Sequence, residues 1–286
     1  MKQWLYDRLK DLKDRFFAIG HIRVLYEMLK VQAQAQQEIY VLQLLQAPRY
    51  REPLRLAQHE SQVFSQHGAD GIIGEIFRRI GITSRQFVEI GCADGVENNT
   101  TYLLWQGWSG FWFDGSEENI AKARQNIRSP IQEGRLKVNH AFFTAENAAG
   151  VLERAGVPKE FDLLSLDIDR NTYYIWEGLA AFRPRVVIIE YNSKVPPGHD
   201  WKVKYDSAKT WNYSNCYGAS LKALEKLGES FGYSLVGCDI VGVDAFFVRN
   251  DCDLSRFAQP FTAENHYEPP RFFLARHQGH RDCFED

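Results

Sequence analysis

Three carboxylates lie close to one glycine turn in the first half of the 286-residue chain. Glu89 begins the turn, Asp94 lies inside it, and Asp114 closes the next apolar run of the sequence. An acid at the end of the second strand of a nucleotide-binding unit can accept hydrogen bonds from ribose hydroxyls. Carboxylates inside the turn repel a pyrophosphate but attract a cationic amino group. The three acids therefore indicate a ligand that carries a ribose and an amino group.

The segment 87–100 has the pattern of a strand, a glycine turn and the start of a helix. Gly91 suits the turn because glycine accepts a positive φ, and because a Cβ would hold a ligand away from the strand end. A dinucleotide fingerprint would have glycine at three positions, which here read Gly91, Ala93 and Val96. Since only the first of them is glycine, the turn is a candidate site for a different ligand.

A second group of acids follows two later apolar runs. Asp167 and Asp169 lie on either side of the end of one run, and Glu190 ends the next. Their oxygens can converge on Mg²⁺ or Ca²⁺, which prefer hard oxygen ligands, although carboxylates at strand ends also cap turns and helices. His199, beside Asp200, is a candidate general base, but a single loop histidine is more often solvated. Catalysis by Asp167, Glu190 and His199 is thus a hypothesis.

Strand and helix patterns alternate along most of the chain, which predicts a doubly wound α/β sheet with ligand sites at the carboxyl ends of its strands. The run 186–189 is wholly apolar, as in a strand covered on both faces. The long polar and aromatic segment 192–217 favours a lid or a substrate-binding insertion. Seven strands are predicted, at 87–90, 108–114, 136–143, 161–168, 185–191, 233–237 and 244–249. Helices are predicted to end at 80 and to span 98–106, 116–127, 148–155, 176–182 and 220–231.

Residues 1 to about 46 have apolar side chains at helical spacing and predict a helix with a break near Gly20. The segment is basic, and Trp4, Phe16 and Phe17 are available on its apolar side. Such a helix can lie peripherally on an anionic membrane surface, or it can pack on its own domain or in a homodimer. We expect three segments, namely a helical extension at 1–59, a main domain at 60–250, and a tail at 251–286 packed on that domain.

Composition excludes several classes of protein. Charged residues make up 25% and apolar residues 44% of the chain, as in an ordinary globular protein. The net charge of -3 argues against nucleic acid as a partner. The five cysteines are odd in number and lack C-x-x-C spacing, so neither disulfides nor a zinc site is indicated. No run reaches the roughly 18 apolar residues of a membrane span, and no signal-peptide pattern is visible, so a cytoplasmic location is expected.

The acids and the turn together follow the pattern E-x-G-x-x-D-G with an acid at the end of the next strand. This pattern resembles the class I methyltransferases, which bind S-adenosylmethionine. More narrowly, residues 87–115, 165–169 and 189–192 are similar to the FkbM-like branch, many members of which methylate sugar hydroxyls. The segment 60–72 resembles the S-Q-x-x-x-D-G entry segment of the same branch. The resemblance covers about residues 65–250.

This resemblance implies a Rossmann-like class I methyltransferase fold with a seven-stranded, mostly parallel sheet. The implied activity is O-methylation of a sugar or glycan-type acceptor, as in polysaccharide biosynthesis, and Mg²⁺, where it is used, would be held by Asp167, Asp169 and Glu190. The loop 144–147 is implied to lie over adenine, although it can equally cap the helix that follows. The residues implied to bind S-adenosylmethionine are Glu89, Gly91, Asp94, Gly95, Asn99, Asp114 and Gly115, with Ala145 and Glu146 at the adenine.

Three other interpretations stay open on the sequence alone. Asp167-Ile168-Asp169 is formally the D-x-D motif with which glycosyltransferases bind a metal and a nucleotide-sugar, although this leaves the glycine turn unexplained. The fold can also be a non-catalytic scaffold whose working part is the N-terminal helix. N-methylation often uses an Asn/Asp-Pro-Pro-Tyr loop, which residues 167–170 do not match. Arg170 stands where FkbM-like relatives are expected to have glycine, so this loop is predicted to be wider or to bind an anionic acceptor.

Overall fold

The computed structural model describes residues 2–274, and for residues 2–7 and 9–20 it describes the backbone alone. Contacts between Cα atoms divide the chain into two compact units, with the division between Ala47 and Pro48. The predicted limits of the three segments, at 59/60 and 250/251, stay predictions.

The first unit contains one long helix, α1, which spans Lys2–Leu44. The predicted helix is confirmed, but the predicted break near Gly20 is wrong, since α1 continues through it. One glycine costs a helix only about 1 kcal/mol relative to alanine, which is too little to interrupt a helix of this length. The predicted apolar side formed by Trp4, Phe16 and Phe17 falls on side chains outside the described residues. None of the helices among residues 2–274 combines the length and the hydropathy that crossing a bilayer requires.

The second unit is built on one seven-stranded sheet, as predicted. Its strands are β1 Gln86–Ile90, β2 Ser109–Asp114, β3 Leu136–His140, β4 Leu163–Leu166, β5 Val186–Glu190, β6 Tyr233–Cys238 and β7 Asp244–Arg249. Their order across the sheet is β3-β2-β1-β4-β5-β7-β6. β7 runs antiparallel to β5 and β6, whereas the other neighbouring strands are parallel. The predicted doubly wound, seven-stranded and mostly parallel sheet is confirmed.

Helices pack on both faces of this sheet. They are α2 Ala69–Ile80, α3 Thr101–Trp105, α4 Glu117–Asn126, α5 Arg128–Gln132, α6 Ala148–Ala155, α7 Thr172–Gly178, α8 Leu221–Ser230 and α9 Ala263–His266, with 3₁₀ turns at Ala57–His59, Leu254–Arg256 and Phe272–Leu274. Residues of α2, α3 and α4 share one apolar core with Phe87, and residues of α6, α7 and α8 share another with Val88. Because consecutive strand residues point to opposite faces, the two cores lie on opposite sides of the sheet.

The prediction for one helix is wrong, and an acid in the first turn of another helix has a different role from a cap. The helix predicted at 176–182 lies four residues earlier, as α7. The aromatic residues at its start have weak helix propensity, but burial of Ile175 and Trp176 in the core outweighs that preference. Asp70 does not cap α2. Its Oδ2 instead accepts hydrogen bonds from the backbone N–H groups of residues 63–65, at 2.7–2.8 Å, and so holds the loop in front of the helix.

The chain after β7 remains close to the sheet as far as it is described. Phe257 and Ala263 are buried, one in each apolar core. The hydroxyl of Tyr50 donates a hydrogen bond to Glu268 at 2.6 Å, and the Arg271 guanidinium pairs with the same carboxylate at 2.8 Å. Residues 251–274 are therefore part of the second unit, and the rest of the predicted tail, 275–286, lies outside the described residues.

Candidate functional site

The glycine turn after β1 is shaped by its neighbours in the fold. Gly91 has a φ of +94°, and a Cβ on it would lie 1.6 Å from the backbone oxygen of Asp167. Gly95 has a φ of +80°, and a Cβ there would lie 2.7 Å from the ring of Trp112. The sequence suggested that glycine is needed for the approach of a ligand, but packing of the chain against itself already requires both glycines.

Asp114 joins the turn to the helix that follows β2. One carboxylate oxygen accepts a hydrogen bond from the backbone N–H of Ala93 at 2.9 Å, and the other accepts one from the backbone N–H of Ser116 at 2.7 Å. Asp94, inside the turn, is fixed through its carbonyl, which accepts a hydrogen bond from the Asn126 side chain at 2.8 Å. The turn and the start of α4 are thus held in one fixed geometry.

Glu89 is buried beneath the turn. Its carboxylate accepts hydrogen bonds from the side-chain amide of Asn98 at 3.2 Å, from the backbone N–H of Asn99 at 3.1 Å, and from the hydroxyl of Thr100. These bonds hold residues 98–100 outside a helix, which is why α3 begins later than predicted. Burial raises the pKa of Glu89 to about 7, although the three donors act in the opposite direction.

Asn99 connects the turn to strands β4 and β7. Its side-chain amide donates hydrogen bonds to Asp244 at 3.2 Å and to the Ser165 hydroxyl at 3.3 Å. Asp244 begins β7 and is paired in register with Glu190 of β5. Burial, followed by the nearby Asp239, holds the pKa of Asp244 well above its usual range. Sequence reasoning missed Asp244, because only the antiparallel register of β7 brings it beside the ends of the parallel strands.

The predicted metal ligands Asp167, Asp169 and Glu190 are brought together. Each offers a carboxylate oxygen, and the three oxygens lie within 4.8 Å of one another. Asp169 adopts a φ of +63°, a left-handed conformation that is uncommon outside glycine. This backbone conformation, just after β4, places its carboxylate beside that of Asp167.

The three carboxylates carry raised pKa values, although Asp167 is exposed and neither of the other two is fully buried. Part of Asp167 is open to water, but desolvation in the cleft, followed by the charge of Asp169, raises its pKa to about 6. Burial, followed by the charges of Asp167 and Asp169, holds the pKa of Glu190 well above its usual range. Glu190 Oε2 is enclosed without a hydrogen-bond partner among residues 2–274. Because protons or a cation must neutralise such a cluster, and because its ligands are hard oxygens, the residues fit a divalent cation.

Two cavities adjoin this edge of the sheet. The larger has a volume of about 700 Å³ and lies between the turn, Asp114 and the loop after β3. The smaller, of about 160 Å³, lies on the other side of the turn and is lined by Glu89, Asn99 and Asp244. Three residues line both cavities, namely Gly91, Ala93 and Asp167. The predicted residues Asp94 and Gly115 line the smaller and the larger cavity respectively.

The two predicted adenine contacts do not line either of these cavities. The backbone N–H of Ala145 donates to the hydroxyl of Tyr205 at 3.0 Å, and that hydroxyl donates to Glu146 at 2.7 Å, so the segment after β5 covers this loop. The larger cavity is lined instead by Ala141, Phe142 and Phe143. The difference arises because β3 ends at His140 and the loop after it starts three residues earlier than predicted.

His199 lies apart from the carboxylates. It is exposed in a turn, where its backbone N–H donates to the carbonyl of Pro196 at 3.1 Å, and it lines neither of the two cavities. The carboxylate of Asp200, which was suggested to orient the imidazole, accepts a hydrogen bond from Lys226 at 2.7 Å.

The irregular segment 192–217 lies beside the larger cavity. Lys209, Thr210 and Tyr213 contribute to its wall. Arg170, for which an anionic acceptor was one hypothesis, donates to the backbone carbonyls of Cys216 at 3.3 Å and Lys204 at 3.2 Å. Its guanidinium therefore ties the loop after β4 to this segment.

No family model matches the chain, and no curated protein matches it. Among solved structures, similarity is found to an O-methyltransferase from Bacillus cereus in complex with SAH, with 16% identity and a TM-score of 0.42 over 76% of this chain and 89% of the other. The N-terminal domain of EvdMO1 with SAH bound has 16% identity and a TM-score of 0.40, over 65% and 80% of the two chains. TrmK of M. capricolum in complex with S-adenosylhomocysteine has 13% identity and a TM-score of 0.39, over 62% and 67%.

Proposed function

We propose that the protein is an S-adenosylmethionine-dependent methyltransferase that transfers the methyl group to a hydroxyl oxygen. The observation that carries the proposal is the arrangement of the two cavities on either side of one turn. Asp114 lies in the larger cavity, where it can accept hydrogen bonds from a ribose. Carboxylates predominate among the charged groups around the smaller cavity. A ligand with a nucleoside at one end, a cationic amino group at the other and no phosphate matches this arrangement.

The roles of the individual residues follow from the same placement. The larger cavity falls within the roughly 300–1,000 Å³ of sites that enclose a small molecule. We assign the adenine to the side of this cavity where Phe142 lies next to Gly115, in place of the predicted Ala145 and Glu146. Glu89 and Asp94 are assigned to the amino-acid tail.

Methyl transfer requires the acceptor oxygen, the methyl carbon and the sulfur to lie in line. The acceptor oxygen forms a bond to the methyl carbon as the carbon–sulfur bond breaks, and S-adenosylhomocysteine leaves as a neutral thioether. Asp167 lines both cavities and is largely ionised at neutral pH with a pKa of about 6, so it can take the hydroxyl proton. With a divalent cation bound by Asp167, Asp169 and Glu190, the cation would instead lower the pKa of that hydroxyl, and Asp167 would serve as its ligand and not as the base.

A sugar or glycan-type acceptor of the kind used by the FkbM-like branch is the finer part of the proposal. Tyr213 lines the larger cavity, is 88% exposed and adopts a left-handed φ of +63°. Its ring centroid lies 4.8 Å from that of Trp211. Exposed aromatic faces held in a strained conformation beside a cavity suit stacking on a sugar ring.

Calorimetric titration with S-adenosylmethionine tests the proposal. Wild-type protein should bind it, and Asp114→Ala should bind it about ten- to hundredfold more weakly, because a charged hydrogen-bond acceptor is worth about 1.5–3 kcal/mol. Glu117→Ala, at an exposed position at the start of α4, is the matched control and should bind like wild type. Absence of binding at millimolar S-adenosylmethionine would refute the proposal, and binding of a nucleotide-sugar with Mn²⁺ instead would favour a glycosyltransferase.

A further inference from the structure

The smaller cavity is lined by two chemically different groups of residues. Glu89, Asp94 and Asp244 lie among its lining on the side of the turn and of β7. Gln66 and His67, from the loop that precedes α2, complete the wall. The sequence patterns assigned no role to His67, because nothing local to residue 67 indicates that its loop folds back over the end of β1.

The imidazole of His67 is kept neutral by its surroundings. Burial lowers its pKa to about 4, and no described carboxylate lies close enough to act in the opposite direction. The neutral imidazole therefore differs in charge from the carboxylates that line the same cavity. Nδ1 is enclosed and has no hydrogen-bond partner among residues 2–274. A buried N–H without a partner is rarer in proteins than an unpaired acceptor, so the proton belongs on Nε2, which becomes a hydrogen-bond donor.

The size and charge of the cavity restrict what can enter it. A volume of about 160 Å³ is too small for a nucleoside, since sites for whole small molecules measure roughly 300–1,000 Å³. A simple anion would be repelled by the carboxylates, and a simple cation would leave the imidazole without a partner. A short zwitterion, with an ammonium and a carboxylate on one carbon, complements both the carboxylates and the imidazole.

We infer that the smaller cavity binds the amino-acid tail of S-adenosylmethionine, with its ammonium toward Glu89 and Asp94 and its carboxylate on Nε2–H of His67. The inference rests on the proposed function, and it makes His67 a residue that selects the cofactor by its carboxylate. Because Gly91 and Ala93 line both cavities, a nucleoside in the larger cavity can extend its tail past the turn into the smaller one.

Two ligands and two variants test this role. S-adenosylmethionine and its decarboxylated analogue differ only in the carboxylate, and binding of both is measured by calorimetry. His67→Phe keeps the ring volume but removes the donor, and should weaken S-adenosylmethionine binding about ten- to hundredfold while leaving the affinity of the decarboxylated analogue unchanged. His67→Gln places an amide N–H near the position of Nε2 and should restore most of the affinity for S-adenosylmethionine.

The outcomes distinguish a failure of this inference from a failure of the proposed function. Wild-type protein that binds neither ligand would refute the proposed function. If wild type binds S-adenosylmethionine and His67→Phe loses affinity for both ligands equally, His67 supports the cavity without contacting the carboxylate, and the inference is overturned. Unchanged binding in both variants would overturn it as well. His199→Phe, at an exposed turn that lines neither cavity, is the control for an aromatic replacement of histidine.

Discussion

Replacing Glu89 with glutamine should remove a pH dependence from the stability of the protein. Glu89 is 5% exposed, and burial raises its pKa from 4.5 to about 7. The folded protein therefore holds this proton more tightly than the unfolded chain does. Its contribution to the free energy of unfolding is fully present below pH 4.5 and is lost as the pH rises through about 7. At about 1.36 kcal/mol per pH unit, the whole loss amounts to about 3 kcal/mol.

Urea denaturation at pH 5, 6, 7 and 8 measures this effect. Between pH 5 and pH 8 the wild-type free energy of unfolding should fall by about 2–3 kcal/mol more than that of Glu89→Gln, since the other titrating groups are common to both. Glu75→Gln is the matched control. Glu75 pairs with Arg78 and Arg79, which lower its pKa to about 2, so its titration lies below this range and its curve should run parallel to wild type.

Parallel curves for wild type and Glu89→Gln would refute the reasoning. That result would mean that the hydrogen bonds from residues 98–100 outweigh burial and keep the carboxylate ionised throughout the range. Saturating S-adenosylmethionine offers a second check. An ammonium placed near Glu89 favours its ionised form, so the ligand should reduce the difference between the two curves.

Two further predictions concern the end of β4. Mn²⁺ at a hundred times its dissociation constant should stabilise the wild-type protein by about 2.7 kcal/mol, which is measured as a rise in Tm. Asp169→Asn should largely abolish this rise. Equal rises in both proteins would contradict the metal site. Gly91→Ala should destabilise the protein by at least about 1–3 kcal/mol in urea, because its Cβ would lie 1.6 Å from the Asp167 oxygen. Gly81 also has a positive φ, of +74°, but a Cβ there would have nothing within 4 Å, so Gly81→Ala should lower the free energy of unfolding by less. Equal losses in the two variants would show that backbone strain, and not the clash with Asp167, causes the destabilisation.

Most of the fold could be predicted because it depends on patterns a few residues long. The apolar run 186–189 indicated a central strand, and all four of its residues are fully buried in β5. β7 and α6 have the bounds that the sequence predicted. In a parallel sheet the carboxyl ends of the strands lie at the same edge, so the sequence alone could place Asp114, Asp167 and Glu190 at one edge.

The remaining site residues depend on contacts that no local pattern records. Asp244 reaches the cleft because an antiparallel strand is inserted beside β5. His67 reaches it because its loop folds back over the sheet. Ala145 and Glu146, the predicted adenine contacts, do not line the larger cavity, because β3 ends three residues before the predicted position and a different part of the loop meets the cavity.

The local charge of the site favours the binding of positively charged groups. The whole chain carries a net charge of only -3, yet the cavities and the end of the sheet collect the carboxylates of Glu89, Asp94, Asp114, Asp167, Asp169, Glu190 and Asp244. Several of these groups have raised pKa values, which means that the fold has to disfavour their charge. Such a concentration is costly without positive partners. A sulfonium, an ammonium and a divalent cation would each neutralise a different part of it, and this is the electrostatic reason to expect S-adenosylmethionine and a metal at the same edge.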